Sequence, residues 1–283
     1  MSDQNLKILG IPFTTLFQNE ILAKIEQSLH QHQKLFIATP NPEMLLASRH
    51  NREFQHTLQS THLNLPDGNG LIWAKLYLQK AEKSSNPIWL SLLGIGSLIA
   101  FIWHKKNDSL RFNRAIHGSD LTMEILRNQQ IGRHPIFLLG NKYGLNSHTA
   151  ELTAQKLKHQ YPHLQIAGHA DSDPTDHTLV KKINDSGAEI LLVGFGAPKQ
   201  EMWIQQHLEQ LKHVKIAIGI GGTFDFIAGI IPRAPKVMRQ MGLEWLFRLY
   251  KQPKRIKRIW NAAIIFPYQI IRDRLANPDK YKT

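Results

Sequence analysis

The chain has 283 residues, 42% of them hydrophobic, enough to bury one full core with a small addition. It contains no cysteine, which excludes disulfides and thiolate metal sites and fits a reducing cytoplasm. The formal net charge is +13, and Met1–Gly10 lacks the basic start and apolar stretch of a secretory signal.

In chain order, short apolar runs predict buried strands at Lys7–Ile11, Leu35–Ala38, His62–Leu65, Ile136–Leu139, Leu164–Ala167, Ile190–Val193 and Ile216–Ile220. Polar, helix-like stretches separate most of them: Asn19–Gln31, Leu145–Gln160, Thr178–Ser186 and Lys199–Leu211. Strand alternating with helix predicts an α/β, Rossmann-like fold with a largely parallel sheet flanked by helices. In such a sheet, ligands sit beyond the carboxyl ends of the strands.

The loops after these runs carry the polar chemistry. They are Thr39-Pro40-Asn41-Pro42-Glu43, Pro66-Asp67-Gly68-Asn69-Gly70, Gly140-Asn141-Lys142-Tyr143-Gly144, Gly194 to Glu201, and Gly221-Gly222-Thr223-Phe224-Asp225. Glycines let backbone N–H groups approach a phosphate, and a following helix start adds its positive dipole end. One such loop is an ordinary turn; five at one sheet edge point to a nucleotide or sugar-phosphate site.

Pro87–Trp103 holds 17 residues without a charge, short for a membrane span of about 20 residues. A buried core helix, an interfacial element and a span all remain open for it. The charge is concentrated later: Arg233 to Thr283 carries 13 Lys or Arg against three acids, a net of +10, which leaves about +3 for the rest. Within it, Trp245, Phe247, Tyr250, Trp260, Phe266 and Tyr268 interleave with Arg248, Lys254, Arg255, Lys257 and Arg258. Pro253 and Pro267 are expected to break this stretch into helices suited to an anionic membrane surface, with core packing of the aromatics as the alternative.

Together with Arg114 to Leu121, Arg233-Ala234-Pro235 and Gly242 to Leu249, these loops resemble the WecG/TagA/CpsF family of glycosyltransferases over most of the chain. The resemblance implies an inverting transferase that needs no metal and no other cofactor. The donor would be a UDP-sugar, typically UDP-N-acetylmannosamine or its uronic acid, and the acceptor N-acetylglucosamine on undecaprenyl diphosphate. It implies a cytoplasmic enzyme, peripheral on the inner face of a bacterial membrane, building a surface polysaccharide or cell-wall polymer. A relative using another donor, such as UDP-glucose, fits the same motifs. A second copy of the chain is compatible with it as a partner.

The resemblance makes Asp67 the base, and a carboxylate able to accept the attacking hydroxyl's proton is what inversion requires. Thr39 and Asn41 are expected to hold sugar groups, with a local turn before Pro42 as the bland reading. Gln200 is expected at the substrate on the family's pattern, and Lys199 or the amides of Gly194 and Gly196 at a phosphate. Gly68, Gly70, Gly221 and Gly222 complete the expected lining, with Arg114, Asp225 and Arg233, for which Arg–Asp structural pairs are the alternative. Arg248, Arg255 and Arg258 match appendage arginines which, in related proteins, fold over the site on membrane binding. The expected division is a catalytic domain over 1–235 and a basic helical appendage over 236–283. About 25 residues between Tyr77 and Arg114, with an apolar insertion at about 80–110, depart from the family pattern.

Asp171-Ser172-Asp173 has the spacing by which many glycosyltransferases hold a divalent cation, but its loop and helix-start context predicts caps. A non-catalytic nucleotide-sugar or nucleic-acid binder would use the basic tail, yet no nucleic-acid motif accompanies it. A dinucleotide-dependent oxidoreductase should show Gly-x-Gly-x-x-Gly after its first strand, and Gly10-Ile11-Pro12 does not.

Overall fold

The structure, a computed structural model, describes residues 6–82, 84, 86–103, 118–142, 147–232, 235, 238, 244–251, 253 and 256–278. The chain opens with an antiparallel hairpin, β1 (Leu6–Ile8) and β2 (Ile11–Phe13). A single strand over Lys7–Ile11 was the expectation. Instead Leu9 and Gly10 both take positive φ, 51° and 83°, and form the tight two-residue turn that a right-twisted hairpin favours.

The remaining strands are β3 (Leu35–Ala38), β4 (Leu63–Asn64), β5 (Ile136–Asn141), β6 (Ile166–Ser172), β7 (Ile190–Gly194) and β8 (Ile216–Gly219). They form one parallel sheet in the order β4-β3-β8-β7-β5-β6. Helices cover both faces: α1 (Gln18–Gln31), α2 (Pro42–Ser48), α3 (Arg52–Ser60), α4 (Asn69–Ala81), α5 (Pro87–Trp103), α6 (Gly118–Arg127), α7 (Thr149–Gln160), α8 (Leu179–Asp185), α9 (Lys199–His207) and α10 (Thr223–Ile227). The basic segment supplies α11 (Glu244–Lys251), α12 (Ile256–Trp260) and α13 (Phe266–Ala276). The α/β reading of the sequence therefore holds.

Period-2 alternation on the strands builds two separate cores. Phe36, Phe137, Leu139, Leu191 and Val193 face α3, α4, α8, α9 and α13, whereas Ile37, Leu138, Ile190, Leu192 and Ile218 face α1, α6, α7 and α10. Each fully buried side chain of this size contributes about 1.5–3 kcal/mol of transfer free energy. Strand β6 starts later and runs further than the expected Leu164–Ala167, because an edge strand bonded on one side tolerates polar residues such as His169 and Asp171.

The last helix is stitched into the first core. Phe266 and Ile270 are fully buried, and the buried Arg274 guanidinium donates to the carbonyls of Ala81 and Ser84, both at 2.8 Å. The first bond meets a carbonyl at the carboxyl end of α4, which no helical N–H can reach, and the second holds the chain just beyond it. Pro253 lies between α11 and α12, as expected. Pro267 does not break the helix: Asn261–Ile265 forms a π turn, which removes the i→i−4 bond that proline cannot make.

Candidate active site

In a parallel sheet every strand ends at the same edge, so all five Gly/Pro loops gather there. β5 passes the chain outward to β6, whereas its neighbour β7 passes it the other way to β8. Such a divergence leaves a crevice at the strand ends, the usual ligand position in this architecture. Asn141 at the end of β5 spans it, donating from Nδ2 to the Phe195 carbonyl at 3.3 Å. Exposed Lys142 and Lys199 stand beside it. Hydrogen bonds from Thr175, aided by the charges of these two lysines, hold Asp173 below the usual carboxylate range.

Asp67 follows β4 and is partly buried. Its N–H donates to the Pro40 carbonyl at 2.9 Å, which ties its loop to the loop after β3. Gly68, with φ of 93°, occupies the N-cap position of α4, so Asp67 stands just ahead of the helix. Thr39 is buried under the first residue of α6: a Cβ on Gly118 would lie 2.8 Å from Thr39 Oγ1. Asn41 Oδ1 accepts from Met44 N at 3.1 Å and caps α2, which realises the turn reading for that oxygen. Gly70 serves close packing, since a Cβ there would meet Pro42 at 2.8 Å, with Phe266 and the Ala262 carbonyl close behind.

The glycine loops after β7 and β8 are organised by Gln200, which is 3% exposed. Its Oε1 accepts from Gly196 N at 3.1 Å and Gly221 N at 3.0 Å, while its Nε2 donates to Glu201 Oε1 at 2.7 Å. This corrects the expectation for the amide of Gly196: that N–H points inward to Gln200 and is already satisfied, so it is not offered to a phosphate. Gln200 commits its Oε1 to the two loops, and positions them. Gly194 allows the loops to close up, as a Cβ there would meet Phe224 at 2.8 Å and the Gly221 carbonyl at 3.2 Å. Asp225 folds back beside Gly222, and burial pushes its carboxyl up. Glu201 is fully buried with no partner for Oε2, and burial pushes its carboxyl to about 7 against the opposing bond from Gln200.

The Asp-x-Asp sequence lies at the end of β6, not at a helix start. Asp171 accepts from Ala150 N at 2.9 Å and Glu151 N at 3.2 Å, capping α7 across the loop, and burial raises its carboxyl. Asp176 is held near about 2 by bonds from Ser172 and Thr178. Asp171 is thus a cap, though of a neighbouring helix, whereas Asp173 and Asp176 close local turns by accepting from Thr175 and Thr178.

From the C-terminal segment, Arg258 pairs through Nε with Glu43 Oε2, and the π turn packs on α2, so this segment lies beside Asn41. Arg114, Arg233 and Arg255 lie outside the described residues, as does the side chain of Arg248. Sequence reasoning missed Lys142, Glu43 and Gly118. Lys142 stood in a quoted loop, but only the strand order places that loop at the crevice.

The model of the glycosyl transferase WecG/TagA/CpsF family matches residues 6–90 and 91–280. The chain is 28% identical over 268 residues to an N-acetylglucosaminyldiphosphoundecaprenol N-acetyl-beta-D-mannosaminyltransferase of Staphylococcus aureus (strain MRSA252), covering 94% of this chain and 91% of that protein. The protein of the same name from strain MW2 is 27% identical over the same shares.

Proposed function

The chain belongs to the WecG/TagA/CpsF family of glycosyl transferases, and from that premise we propose that it transfers N-acetylmannosamine from UDP to undecaprenyl-diphosphate-linked N-acetylglucosamine, with inversion. A hydroxyl oxygen of the acceptor attacks the anomeric carbon as the bond to the UDP oxygen breaks. The electron pair leaves with UDP, and the hydroxyl proton passes to the Asp67 carboxylate. The observation that supports this reading is the Asp67–Pro40 backbone bond, which ties Asp67 to the loop that carries Thr39 and Asn41.

Lys142 and Lys199 at the crevice suit the departing diphosphate, whose charge must be met by fixed cations or dipoles. Arg248, Arg255 and Arg258 suit the acceptor's diphosphate, Arg258 by exchanging Glu43 for it. Residues 236–283 serve as the part that meets an anionic membrane on its inner, cytoplasmic side, with α13 as their anchor to the catalytic part.

The test is UDP release by the full chain with a short-chain lipid-diphosphate N-acetylglucosamine and a panel of UDP-sugars. UDP-N-acetylmannosamine should be turned over faster than UDP-glucose or UDP-N-acetylmannosaminuronic acid. Asp67→Asn should lower kcat by roughly 10²–10⁴ with an unchanged fold. Wild-type turnover by Asp67→Asn would remove the proposed base.

A further inference from the structure

Over residues 87–98, where its side chains are described, helix α5 packs against the protein through one side. Leu90 and Gly94 are buried, Tyr77 Oη donates to the Leu90 carbonyl at 3.3 Å, and Trp73 Nε1 donates to Ser97 Oγ at 3.2 Å. On the opposite side Ile88, Trp89, Leu92 and Ile95 stand out at 72%, 42%, 65% and 57% exposure. Spacings of three and four put these residues on one face. A contiguous apolar strip of this kind on a soluble surface marks an interaction site.

Its position relates to the active site. The pairings of residue 77 with 90 and of 73 with 97 make α4 and α5 antiparallel. The last turn of α5 therefore lies level with the first turn of α4, next to Asp67. The same first turn of α4 is flanked by the C-terminal segment, where Phe266 and the Ala262 carbonyl approach Gly70. That segment carries its own exposed stripe, Ile256, Trp260, Ile264 and Tyr268. Steps of four residues drift about 40° per step in an α-helix, and the wider π turn at Asn261–Ile265 takes part of that drift back.

We propose that the exposed face of α5 inserts into an anionic phospholipid bilayer and, with the Trp260 stripe, seats the mouth beside Asp67 on the membrane. This rests on the lipid-linked acceptor proposed above. Charge selects the occupant. The 17 residues of α5 carry none, while Lys80, Glu82 and Lys83 before it and Lys105, Lys106 and Asp108 after it each leave a net +1, and Arg233 to Thr283 carries +10. Apolar side chains framed by cations suit acyl chains beneath acidic headgroups. No described helix is long and apolar enough to cross a membrane, so α5 lies in the interface plane. An acceptor anchored in that bilayer then presents its sugar at the Asp67 end of α4.

The experiment is vesicle flotation of the full chain with phosphatidylcholine alone and with added phosphatidylglycerol, comparing wild type with Leu92→Glu/Ile95→Glu. Both positions are exposed, so the double variant should fold. The wild type should float with the anionic vesicles and the variant should bind at least about tenfold more weakly. UDP release on a water-soluble, short-chain acceptor should stay unchanged. Because the chain has no cysteine, Leu92→Cys gives a unique fluorophore site. Its emission should shift blue on anionic vesicles and be quenched by nitroxide lipids, whereas Lys181→Cys on α8 should not respond. Equal flotation of wild type and double variant with no response at position 92 would overturn the role of α5 while leaving the transferase reading intact. A double variant that floats normally but changes from oligomer to monomer by light scattering would assign the face to a second copy instead. Failure of the wild type to float would overturn both this proposal and the membrane-facing role of residues 236–283.

Discussion

Glu201→Gln isolates the buried carboxyl beneath the glycine loops. In the folded chain Glu201 is inaccessible, and burial raises its carboxyl from 4.5 to about 7. Unfolded, it returns to the ordinary value. Between about pH 4.5 and 7 the native state therefore binds the extra proton, and stability falls as pH rises. Stability from this group is complete below about pH 4.5, is lost progressively up to about pH 7, and is level above it. The separation corresponds to roughly 3 kcal/mol at about 1.36 kcal/mol per pH unit.

The substituted side chain would keep the bond from Gln200 but place an unpaired amide N–H₂ where Oε2 already lacks a partner, a constant cost of about 1–3 kcal/mol. The informative quantity is thus the difference between variant and wild type as a function of pH. Urea unfolding at pH 5, 6, 7 and 8 should show that difference moving in favour of the variant by about 2–3 kcal/mol over the range. A difference that stays constant from pH 5 to 8 would mean that Glu201 titrates normally in a hydrated site, and would refute the reasoning.

Three further outcomes are expected. Arg274→Met removes the guanidinium bonds to the Ala81 and Ser84 carbonyls and should cost about 2–4 kcal/mol, seen as faster proteolytic release of the C-terminal helices. Gly118→Ala sets a methyl 2.8 Å from Thr39 Oγ1. It should displace that side chain and reduce UDP release by at least about tenfold, with a stability cost of about 1–3 kcal/mol in urea unfolding. Gln200→Ala leaves the N–H groups of Gly196 and Gly221 without their acceptor, at about 2–4 kcal/mol, and both amides should exchange with deuterium faster than in wild type.

The local alphabet of this fold is legible in the chain alone. Leu35–Ala38 matches its strand end to end, Ile190–Val193 and Ile216–Ile220 each differ by one residue from theirs, and the polar stretches between them are helices. Strand–helix alternation then dictates parallel strands, and parallel strands send every Gly/Pro loop to one edge. The neighbourhood of Asp67, Thr39 and Asn41 was legible for that reason. The strand order was not, since nothing local in β5 or β7 says that they are neighbours whose connections diverge, and Lys142 went unnoticed with it.

Tertiary contact also decided which polar groups were left for chemistry. Gln200 is expected at the substrate on the family's pattern, and in the folded chain Gly221, 21 residues away, claims its oxygen along with Gly196. Arg258 is met by Glu43 across 215 residues. Pro87–Trp103 is apolar all round, so its sequence has no inner face to read; α4 and α13 choose one by packing against Leu90 and Gly94, and leave Ile88, Leu92 and Ile95 to the outside. Short-range spacing encodes the type of element, because helix and strand repeat within a few residues. Which face is covered depends on partners brought together from far along the chain, and only the folded molecule brings them together.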